Sequence, residues 1–504
     1  MPLRSFNREQ AWLMPPSLEE LIPEDHPARF VDMLLGELDE SEWEVMGVKM
    51  AGDPMGAPAY HPRALAGVWV YGFMDGIRST RKLERACRDQ IPYFWLSCMQ
   101  RPDHNTLWRF YKAHRDHMRS LFRLTVEMAV GMDLLDLAFQ AVDGTKVKAS
   151  ASRERMLEEE GLERLHGRLE RAISEMEEQN EGENDPPPAR LPETLAGREA
   201  LRQKTAGALR LVRGRSGASQ EGVEDDNSPE KTEPEPGGRP SRMSLSDPDA
   251  RLLHARGGYM AGYNAQAMAS PLASGDGMLI TAADVAAPGQ DDHAQLLPMI
   301  NTAAANTGMH AGRTLADSNY HSGPNLAQCE ADGIAVLMPE ANGPLQQKPF
   351  HKNNFTYHPE RDLYTCPHGE ELTYRGIQRR PEKSYDAMRY KARPSVCRAC
   401  PAFGECTSSR GGRTIYVTPH EGLLKRHRET MAQEESRELY RRRKHTVEPI
   451  FGILKEQMDG RRFLLRGIAN VKAEWLLLAA AFNLRTLHRV WARGIGNPSP
   501  AAAA

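Results

Sequence analysis

The feature that most constrains the fold of this 504-residue chain is a change of pattern near residue 134. Residues 15–130 have mostly helical patterns, whereas the stretch LLDLAFQAVDGTKVKA, which begins at Leu134, gathers apolar and β-branched residues. Such clustering is typical of a buried strand. We predict a strand that ends at Asp143, with Gly144 directly behind the carboxylate.

More strand patterns follow later in the chain. GYNAQAMAS and GMLITAADVA predict two successive strands, and DDHAQLLPMINTAAANTG predicts a helix capped by Asp291 or Asp292. RTLADSNYHSG predicts a strand that reaches Asp317 and leads into a helix, and GIAVLMPE predicts another strand. Strands in a row, followed by strands that alternate with helices, indicate an α/β sheet.

The first 130 residues predict a helical N-terminal domain. SLEELIPEDHPARFVDMLLGEL is expected to start a helix at a serine cap, and HPRALAGVWVYGFMDG to place Pro62 in the first turn of a buried helix. A Ser79/Thr80 cap and a turn at Asp103 fit a helix-turn-helix-like DNA-binding unit. A dimerisation or scaffold domain explains the same helices nearly as well.

Two long segments interrupt the predicted sheet, and their charges are opposite although the whole chain carries only −3. Residues 151–245 are rich in glutamate and predict a charged, partly disordered insertion, with disorder around 181–190 and 215–240. Residues 341–425 form a basic insertion that contains cysteines. Basic blocks can bind a polyanion, although they are more often plain solvated faces. The remaining predicted units are a catalytic core of 134–150, 246–340 and 426–490, and a flexible tail at 491–504.

Asp143 and Asp317 share one position, the C-terminal end of a predicted strand, where an α/β sheet forms its ligand-binding crevice. Each aspartate alone is equally well explained by a turn. If the strands are neighbours, however, the two carboxylates converge and repel each other, and a hard cation such as Mg²⁺ would resolve that repulsion. A pair of such ions supports cleavage or transfer of phosphodiesters.

A helix near the C-terminus offers a third carboxylate. HTVEPIFGILKEQM places Glu448 beside an apolar stripe at helical spacing, and Pro449 predicts that the helix begins or kinks there. A solvated helix residue is the plainer interpretation of this glutamate. The stripe that we expect to be buried consists of Val447, Ile450, Phe451 and Leu454.

Taken in order, these motifs resemble those of bacterial insertion-sequence transposases of the DDE type, specifically group eleven-eighty-two of the IS4/IS5-like superfamily. The match is carried by VDGTKVKA, YNAQ, LITAADVAAPGQDDHAQLLPMI, ADSNYHSG and HTVEPIFGILKEQM, and by an InsH-like N-terminal domain in EDHPARFVDMLL and PDHNTLWRF. The resemblance implies an RNase H-like catalytic core. In that core Asp143, Asp317 and Glu448 would be the catalytic acids that bind Mg²⁺ or Mn²⁺.

The resemblance also implies contacts with DNA. Glu448 and Lys455 have the spacing of the glutamate–lysine half of the superfamily's tyrosine–arginine–glutamate–lysine signature. In the other half, Lys444 stands where arginine is expected, and Tyr440 is one residue out of register. The residues that we expect to bind DNA are Lys455, Arg462, Arg443 and Lys146.

Four of the seven cysteines lie in the basic insertion, within YTCPHGEEL and SVCRACPAFGEC. A C-x2-C pair suits tetrahedral thiolate ligation, and the whole resembles a zinc-ribbon-like knuckle. Structural Zn²⁺ is therefore the preferred interpretation, with His368 as an alternative ligand. A reduced cluster that packs without metal is the competing interpretation. Nearby arginines would make this insertion a clamp on DNA phosphates. The cysteines are Cys366, Cys397, Cys400 and Cys406, and the arginines are Arg379, Arg380, Arg393 and Arg398.

We therefore predict a DNA transposase that binds the terminal inverted repeats of its element, cleaves at their ends and transfers the 3′-hydroxyl strands to target DNA. Two alternatives stay open: a metal-dependent nuclease of the same fold, and a catalytically silent DNA-binding descendant. Because both DNA ends must be joined together, a homodimer or a larger synaptic oligomer is expected. Without a signal sequence or a long apolar run, the protein is expected to be cytoplasmic. The resemblance implies that it is bacterial and associated with the nucleoid.

Overall fold

The computed structural model describes most of the chain, and the secondary structure below refers to those residues. No helix in these segments is both long and apolar enough to span a bilayer. The disorder predicted at 181–190 and at 220–240 falls outside them, as does Arg380. The described residues are 17–45, 59–152, 156–179, 194–219, 242–255, 258–341, 349–379 and 386–496.

The N-terminal region is helical, as predicted. Its helices are α1 (Pro27–Glu37), α2 (Glu40–Val45), α3 (Pro62–Met74), α4 (Thr80–Asp89), α5 (Ile91–Leu96), α6 (His104–His114) and α7 (Met118–Gly131). Pro62 does occupy the first turn of α3, and the Asp103 side chain caps α6 by accepting from the Thr106 N–H at 2.8 Å. The buried aromatic face of α3 packs against α1 and the last helix of the chain.

The predicted start of the first helix is wrong. Leu18–Leu21 form only a short 3₁₀ turn, the Ser17 side chain makes no capping hydrogen bond, and α1 begins later at Pro27. Pro23 has no N–H with which to extend the first turn. Pro27 instead suits the first position of a helix, where the His26 ring accepts the Ala28 N–H.

The central sheet is mixed, and together with the helices it confirms the predicted α/β class. The strands that precede the basic insertion are β1 (Gln140–Lys148), β2 (Met156–Leu157), β3 (Met243–Ser244), β4 (Arg251–Ala255), β5 (Gly258–Pro271), β6 (Met278–Val285), β7 (Thr314–Leu315) and β8 (Val336–Leu337). Of these, β2 and β3 form a separate pair outside the central sheet. The order across the sheet is β4-β5-β1-β7-β8. The sixth strand, β6, pairs with residues 265–271 of β5, whereas β4 pairs with residues 258–262. The β1–β5 and β5–β6 pairs are antiparallel, whereas β1, β7 and β8 are parallel.

Strand β1 does not end at Asp143, as the sequence suggested. It continues for five more residues, because β5 pairs with it from Ala141 opposite Ala269 as far as Lys148 opposite Gly262. A partner of this length is distant in sequence, so it leaves no mark on the local pattern around Gly144. Asp143 is therefore inside a strand, opposite Ala267.

Helices cover both faces of the central sheet. The remaining helices are α8 (Glu159–Gln179), α9 (Leu195–Ser219), α10 (Leu296–Thr307), α11 (Gly323–Ala331), α12 (Pro394–Ala399), α13 (Glu421–Ala432), α14 (Glu434–Glu456) and α15 (Ile468–Gly496). Of these, α8 and α9 belong to the acidic insertion and α12 to the basic insertion. Val142 and Met268 face α10 and α11, whereas Ala141 and Val147 face α14, α15 and the N-terminal helices. Because side chains alternate along a strand, Asp143 belongs to the α14 side.

The acidic insertion contains a helical hairpin of α8 and α9 with its own small core. Leu162, Leu209 and Val212 are buried against Met243, and Arg213 forms ion pairs with Glu159 and Glu163 across the two helices. The short β2–β3 pair closes the hairpin at its base. Residues 215–219, within the predicted disorder, belong to α9.

The basic insertion contains a separate antiparallel sheet. Its strands are β9 (Thr356–His358), β10 (Leu363–Thr365), β11 (Glu371–Gln378), β12 (Ala387–Ala392) and β13 (Thr414–Val417), arranged in the order β13-β12-β11-β10-β9. A small core of Tyr364, Leu372, Tyr390 and Ile415 holds it together, and Cys366 and Cys397 pack at its edge.

A buried ion pair ties the N-terminal helices to the end of the chain. Arg78 Nη1 lies 2.7 Å from Glu474 Oε1, and both side chains are almost fully buried. Glu474 also accepts the N–H groups of Leu464 and Leu465, and Arg78 donates to the Arg462 carbonyl. The N-terminal region is thereby fixed to the loop that joins α14 to α15.

Candidate active site

The site is built on α14, which crosses the face of the sheet beside β1. The predicted apolar stripe is confirmed, since Val447, Ile450 and Leu454 are fully buried and Phe451 nearly so. Of the two alternatives predicted at Glu448, a helix start or a kink, the helix start is wrong, because α14 starts at Glu434 and continues through Pro449. The buried stripe on both sides of Pro449 offsets the hydrogen bond that this proline removes.

Asp143 meets a positive charge from this helix. Arg443 Nη1 lies 3.3 Å from Asp143 Oδ2, and the two side chains are only 9% and 17% exposed. Burial raises the pKa of Asp143 to about 6, and the nearby Asp317 carboxylate adds to that rise. Arg443 and the Gly144 N–H, which donates to Asp143 Oδ1 at 2.8 Å, act in the opposite direction. Arg443 and the Gly144 N–H thus hold the Asp143 carboxylate in place, but they do not fully offset the effects of burial and of Asp317 on its pKa.

Asp317 stands where the parallel strand β7 gives way to a 3₁₀ turn. Its side chain accepts the Asn319 N–H at 2.8 Å and so caps that turn. Burial raises the pKa of Asp317, and the negative charge of Asp292 reinforces the effect. The structure therefore brings the Asp143 and Asp317 carboxylates within electrostatic range of each other, although Asp143 lies inside β1 and only Asp317 lies beyond the end of its strand.

A polar network that the sequence did not reveal supports the two aspartates from behind. Asp292 Oδ1 accepts from Asn264 Nδ2 at 2.6 Å and from Gln266 Nε2 at 2.8 Å. Gln266 in turn accepts the hydroxyl of Tyr320, three residues after Asp317. The sequence predicted Asp292 only as a possible helix cap. The two amide residues of YNAQ, Asn264 and Gln266, were the one sequence signal that could have pointed to this network.

Gly144 lies where this network passes β1. A Cβ on this residue would stand 2.5 Å from Gln266 Nε2 and 3.0 Å from Asp292 Oδ1. Contacts that short do not occur between real side chains, so a larger residue would displace the network. Gly144 lies inside β1, so the space beside the network favours glycine there, and a turn does not.

Glu448 is exposed on α14, between two contacts of that helix with β1. Five residues before it, Arg443 reaches Asp143; seven residues after it, Lys455 Nζ donates to Thr145 Oγ1 at 2.5 Å and to the Lys146 carbonyl at 3.2 Å. Glu448 and Lys455 lie on the same side of the helix, given 3.6 residues per turn. Within the described segments, no three carboxylate, imidazole or thiol groups are already gathered closely enough to hold a metal ion.

The structure distinguishes Arg443 from Lys444, the residue that stands where the signature expects arginine. Arg443, and not Lys444, points into the site, and it contacts the Tyr440 side chain one turn earlier. Lys444 is exposed.

The remaining residues expected to bind DNA lie along the far half of β1. Lys146 is exposed, although its Nζ donates to the His254 carbonyl at 2.6 Å. Arg462 pairs through its backbone with Lys148. Lys148 and Arg462, together with Arg466 and Ser150, line an open polar cleft at the end of β1.

The four cysteines of the basic insertion surround a single pocket, and His368 also lines it. All four are free thiols. Arg379, Arg393 and Arg398 are exposed around the same small sheet.

Comparison with known proteins finds two family matches. Residues 16–113 match the model described as Transposase domain (DUF772), and residues 365–488 match the model described as Transposase DDE domain. The second segment contains Glu448, Lys455 and the four cysteines, whereas Asp143 and Asp317 precede it. None of the curated proteins matches the chain significantly. The two matches support a transposase of the DDE type, a class that implies an RNase H-like core and dependence on a divalent metal ion.

Proposed function

We propose that this protein is a transposase that binds the terminal inverted repeats of its own insertion sequence, cleaves at their ends and joins the 3′-hydroxyl strands to target DNA. One observation carries the proposal. Asp143 lies in β1, and Asp317, 174 residues later in the sequence, follows the neighbouring parallel strand β7 closely enough to interact electrostatically with Asp143. The helix α14, which carries Glu448, packs on β1. The order of the central sheet, three antiparallel strands followed by two parallel ones with helices on both faces, supports the RNase H-like core.

The acid residues fit a hard divalent cation. Asp143 and Asp317 offer oxygen ligands. Burial and neighbouring negative charge raise the pKa of both carboxyl groups, so a cation bound between them would stabilise their ionised forms. Mg²⁺ or Mn²⁺ would be held by these two carboxylates, with Glu448 as the third acid. When bound, a pair of such ions activates the attacking hydroxyl and stabilises the departing oxygen of the phosphodiester.

The protein groups around the acids position them. Arg443 restrains Asp143 and places a guanidinium where a phosphate oxygen of DNA would arrive. The Asp292, Asn264 and Gln266 network fixes the β5 side of Gly144 and, through Tyr320, the turn that carries Asp317. We assign Asp292 a positioning role rather than a catalytic one, because its Oδ1 is already occupied by two amide donors.

DNA would continue from the acids along the basic half of β1. Lys148, Arg462 and Arg466 surround the polar cleft at that end, and contacts of this kind neutralise phosphates without reading sequence. Lys455 retains one unused donor beyond its two internal hydrogen bonds. The helical N-terminal region would read the ends or dimerise, since both DNA ends must be processed in one complex.

The test is a cleavage and joining assay with the purified full chain, Mg²⁺ or Mn²⁺, and duplex DNA carrying the inverted repeats that flank its coding region. Nicking at the repeat end followed by joining to a target duplex is the expected result. Cleavage without joining would identify a nuclease, and binding without either would identify a silent DNA-binding protein.

Single substitutions test the acids. Asp143→Asn, Asp317→Asn and Glu448→Gln should each lower cleavage by at least about a hundredfold, the scale on which loss of one essential electrostatic group acts. Glu438→Gln is the matched control, because Glu438 is also an exposed glutamate of α14. Full activity in Glu448→Gln would remove Glu448 from the proposed site while leaving the two aspartates in it.

A further inference from the structure

We propose that Cys366, Cys397, Cys400 and Cys406 bind one structural Zn²⁺ ion that fastens the small sheet of the basic insertion. The four thiols come from two separate loops and line a single pocket. Cys406 lies within electrostatic range of each of the other three. A set of four thiolates selects a tetrahedral, sulfur-preferring ion, and Zn²⁺ is the common one.

The first ligand is presented by the loop between β10 and β11. Cys366 directly follows β10, its N–H donates to the Glu370 carbonyl at 2.8 Å, and Gly369 donates to the Cys366 carbonyl at 2.8 Å. Gly369 has a φ of 82°, which favours glycine there. The Glu370 N–H then points at Cys366 Sγ, 3.4 Å away. A thiol is a weak acceptor, whereas amide donors aimed at sulfur are the kind of outer support that orients thiolate ligands.

The second loop carries the other three thiols and presents Cys397 in the same manner. Cys397 is in α12 and Cys400 caps its end, with the Cys400 N–H donating to the Cys397 carbonyl at 3.2 Å. The Arg413 N–H points at Cys397 Sγ from 3.3 Å. Both loops therefore direct a backbone donor at a sulfur, which is an observation independent of the clustering.

The surroundings suit a negatively charged metal centre. Four thiolates and one Zn²⁺ leave a net charge of about −2. Arg413 stands beside the pocket, where its Nη1 donates to the Cys406 carbonyl at 3.3 Å and its Nη2 to the Phe350 carbonyl at 3.2 Å. Its guanidinium thus supplies compensating positive charge at the wall of the proposed site.

His368 is a poorer ligand than Cys406, although both line the pocket. The His368 ring stacks on Phe350 with centroids 5.4 Å apart and planes 17° apart. Moving the ring onto a metal would give up that contact. The proposed ligand set is therefore four sulfurs.

The small sheet needs such a fastening. Its core cluster has seven buried residues, six of them on four strands, and units of this size commonly rely on a metal or disulfides. The sulfurs are not yet at metal-ligand distance in the described residues. Zinc binding must therefore draw the loop of Cys397 to Cys406 toward Cys366, which would reduce amide hydrogen exchange in both loops.

Metal analysis of the full chain, purified under reducing conditions, tests the proposal without any activity assay. One equivalent of zinc per chain is expected, and replacement by Co²⁺ should give thiolate-to-cobalt charge-transfer absorption. Cys366→Ser and Cys406→Ser should each lose most of the zinc. Cys98→Ser, at an exposed cysteine, and His368→Ala should retain it. Iron in place of zinc, no bound metal, or loss of zinc only in His368→Ala would overturn the assignment.

A second measurement covers the case in which the serine variants do not fold. The unmodified full chain is alkylated with and without a chelator, and the modified cysteines are identified by mass spectrometry. Removal of zinc should expose all four pocket thiols, while Cys98 reacts under both conditions. Equal alkylation of the four thiols in both samples would refute the site. Because this readout does not involve DNA, its failure would leave the proposed acid site untouched.

Discussion

At the scale of single residues, the environment of Asp143 decides what the site can do. The carboxylate is buried in a strand, faces the Asp317 carboxylate and is only partly compensated by Arg443. The strand around Asp143 and the strand that leads to Asp317 could be predicted from sequence, because strands are marked by local patterns, although the predicted end of β1 at Asp143 was wrong. Asp292 could not, since its partners Asn264 and Gln266 come from another strand and meet it only after β5 has paired with β1.

The raised pKa of Asp143, about 6, predicts how metal binding depends on pH. Below pH 6 the carboxyl group of the metal-free protein is protonated, so a cation must displace a proton to bind. The affinity for Mn²⁺ should therefore fall by up to about tenfold per pH unit on the acid side of 6 and level off on the alkaline side. Titration calorimetry across this range measures the effect. An affinity that is flat through pH 6 would show that Asp143 is not a ligand.

At the scale of elements, α14 brings the site together. It contacts Asp143 through Arg443 and Thr145 through Lys455, and its apolar stripe fastens it to the sheet. The stripe was predictable because helical periodicity is local. The register of Arg443 was not, because it depends on how the whole helix lies on the sheet. The prediction of where β1 ends failed for a related reason, since the length of β1 is set by its pairing with β5.

Two substitutions in α14 separate helix stability from the placement of Glu448. Pro449→Ala restores a backbone donor and should stabilise the protein by about 1–3 kcal/mol, yet lower cleavage by changing the helix path at Glu448. Gly452→Ala, whose new Cβ meets nothing within 4 Å, should stabilise by about 0.5–1 kcal/mol. Urea unfolding and the cleavage assay measure both properties.

Gly452→Ala should leave cleavage unchanged and so serves as the control for added helix stability. If the two variants cleave DNA equally well, Pro449 has no part in directing Glu448. If both lose cleavage, rigidity of α14 is the cause, and the local path of the helix at Glu448 is not.

At the scale of the whole molecule, the helical N-terminal region and the sheet form one structure around α15. That helix packs on α7, α3 and β6, and the Arg78–Glu474 pair lies at its beginning. The two classes of element were predictable from sequence, whereas their attachment was not, because Arg78 and Glu474 are 396 residues apart. A residue in a basic run and a glutamate in a late helix give no local sign of such a contact.

Breaking this pair should destabilise the protein far more than breaking a surface pair. Arg78→Met leaves Glu474 buried without its cation and should cost about 3–5 kcal/mol. Arg88→Met is the matched control, since Arg88 pairs with Glu84 in an exposed setting and its loss should cost about 1 kcal/mol or less. Equal shifts of the two variants in chemical denaturation would contradict the role given to the buried pair.

The most direct test of the central claim is cleavage of the protein's own backbone by Fe²⁺ placed in the metal site, with ascorbate and peroxide generating hydroxyl radicals there. The account predicts cuts near Asp143, Asp317 and Glu448 in the same sample, suppressed by excess Mg²⁺ and abolished in Asp143→Asn. Cuts at only one of the three segments, or cuts that persist unchanged in Asp143→Asn, would contradict a shared metal site.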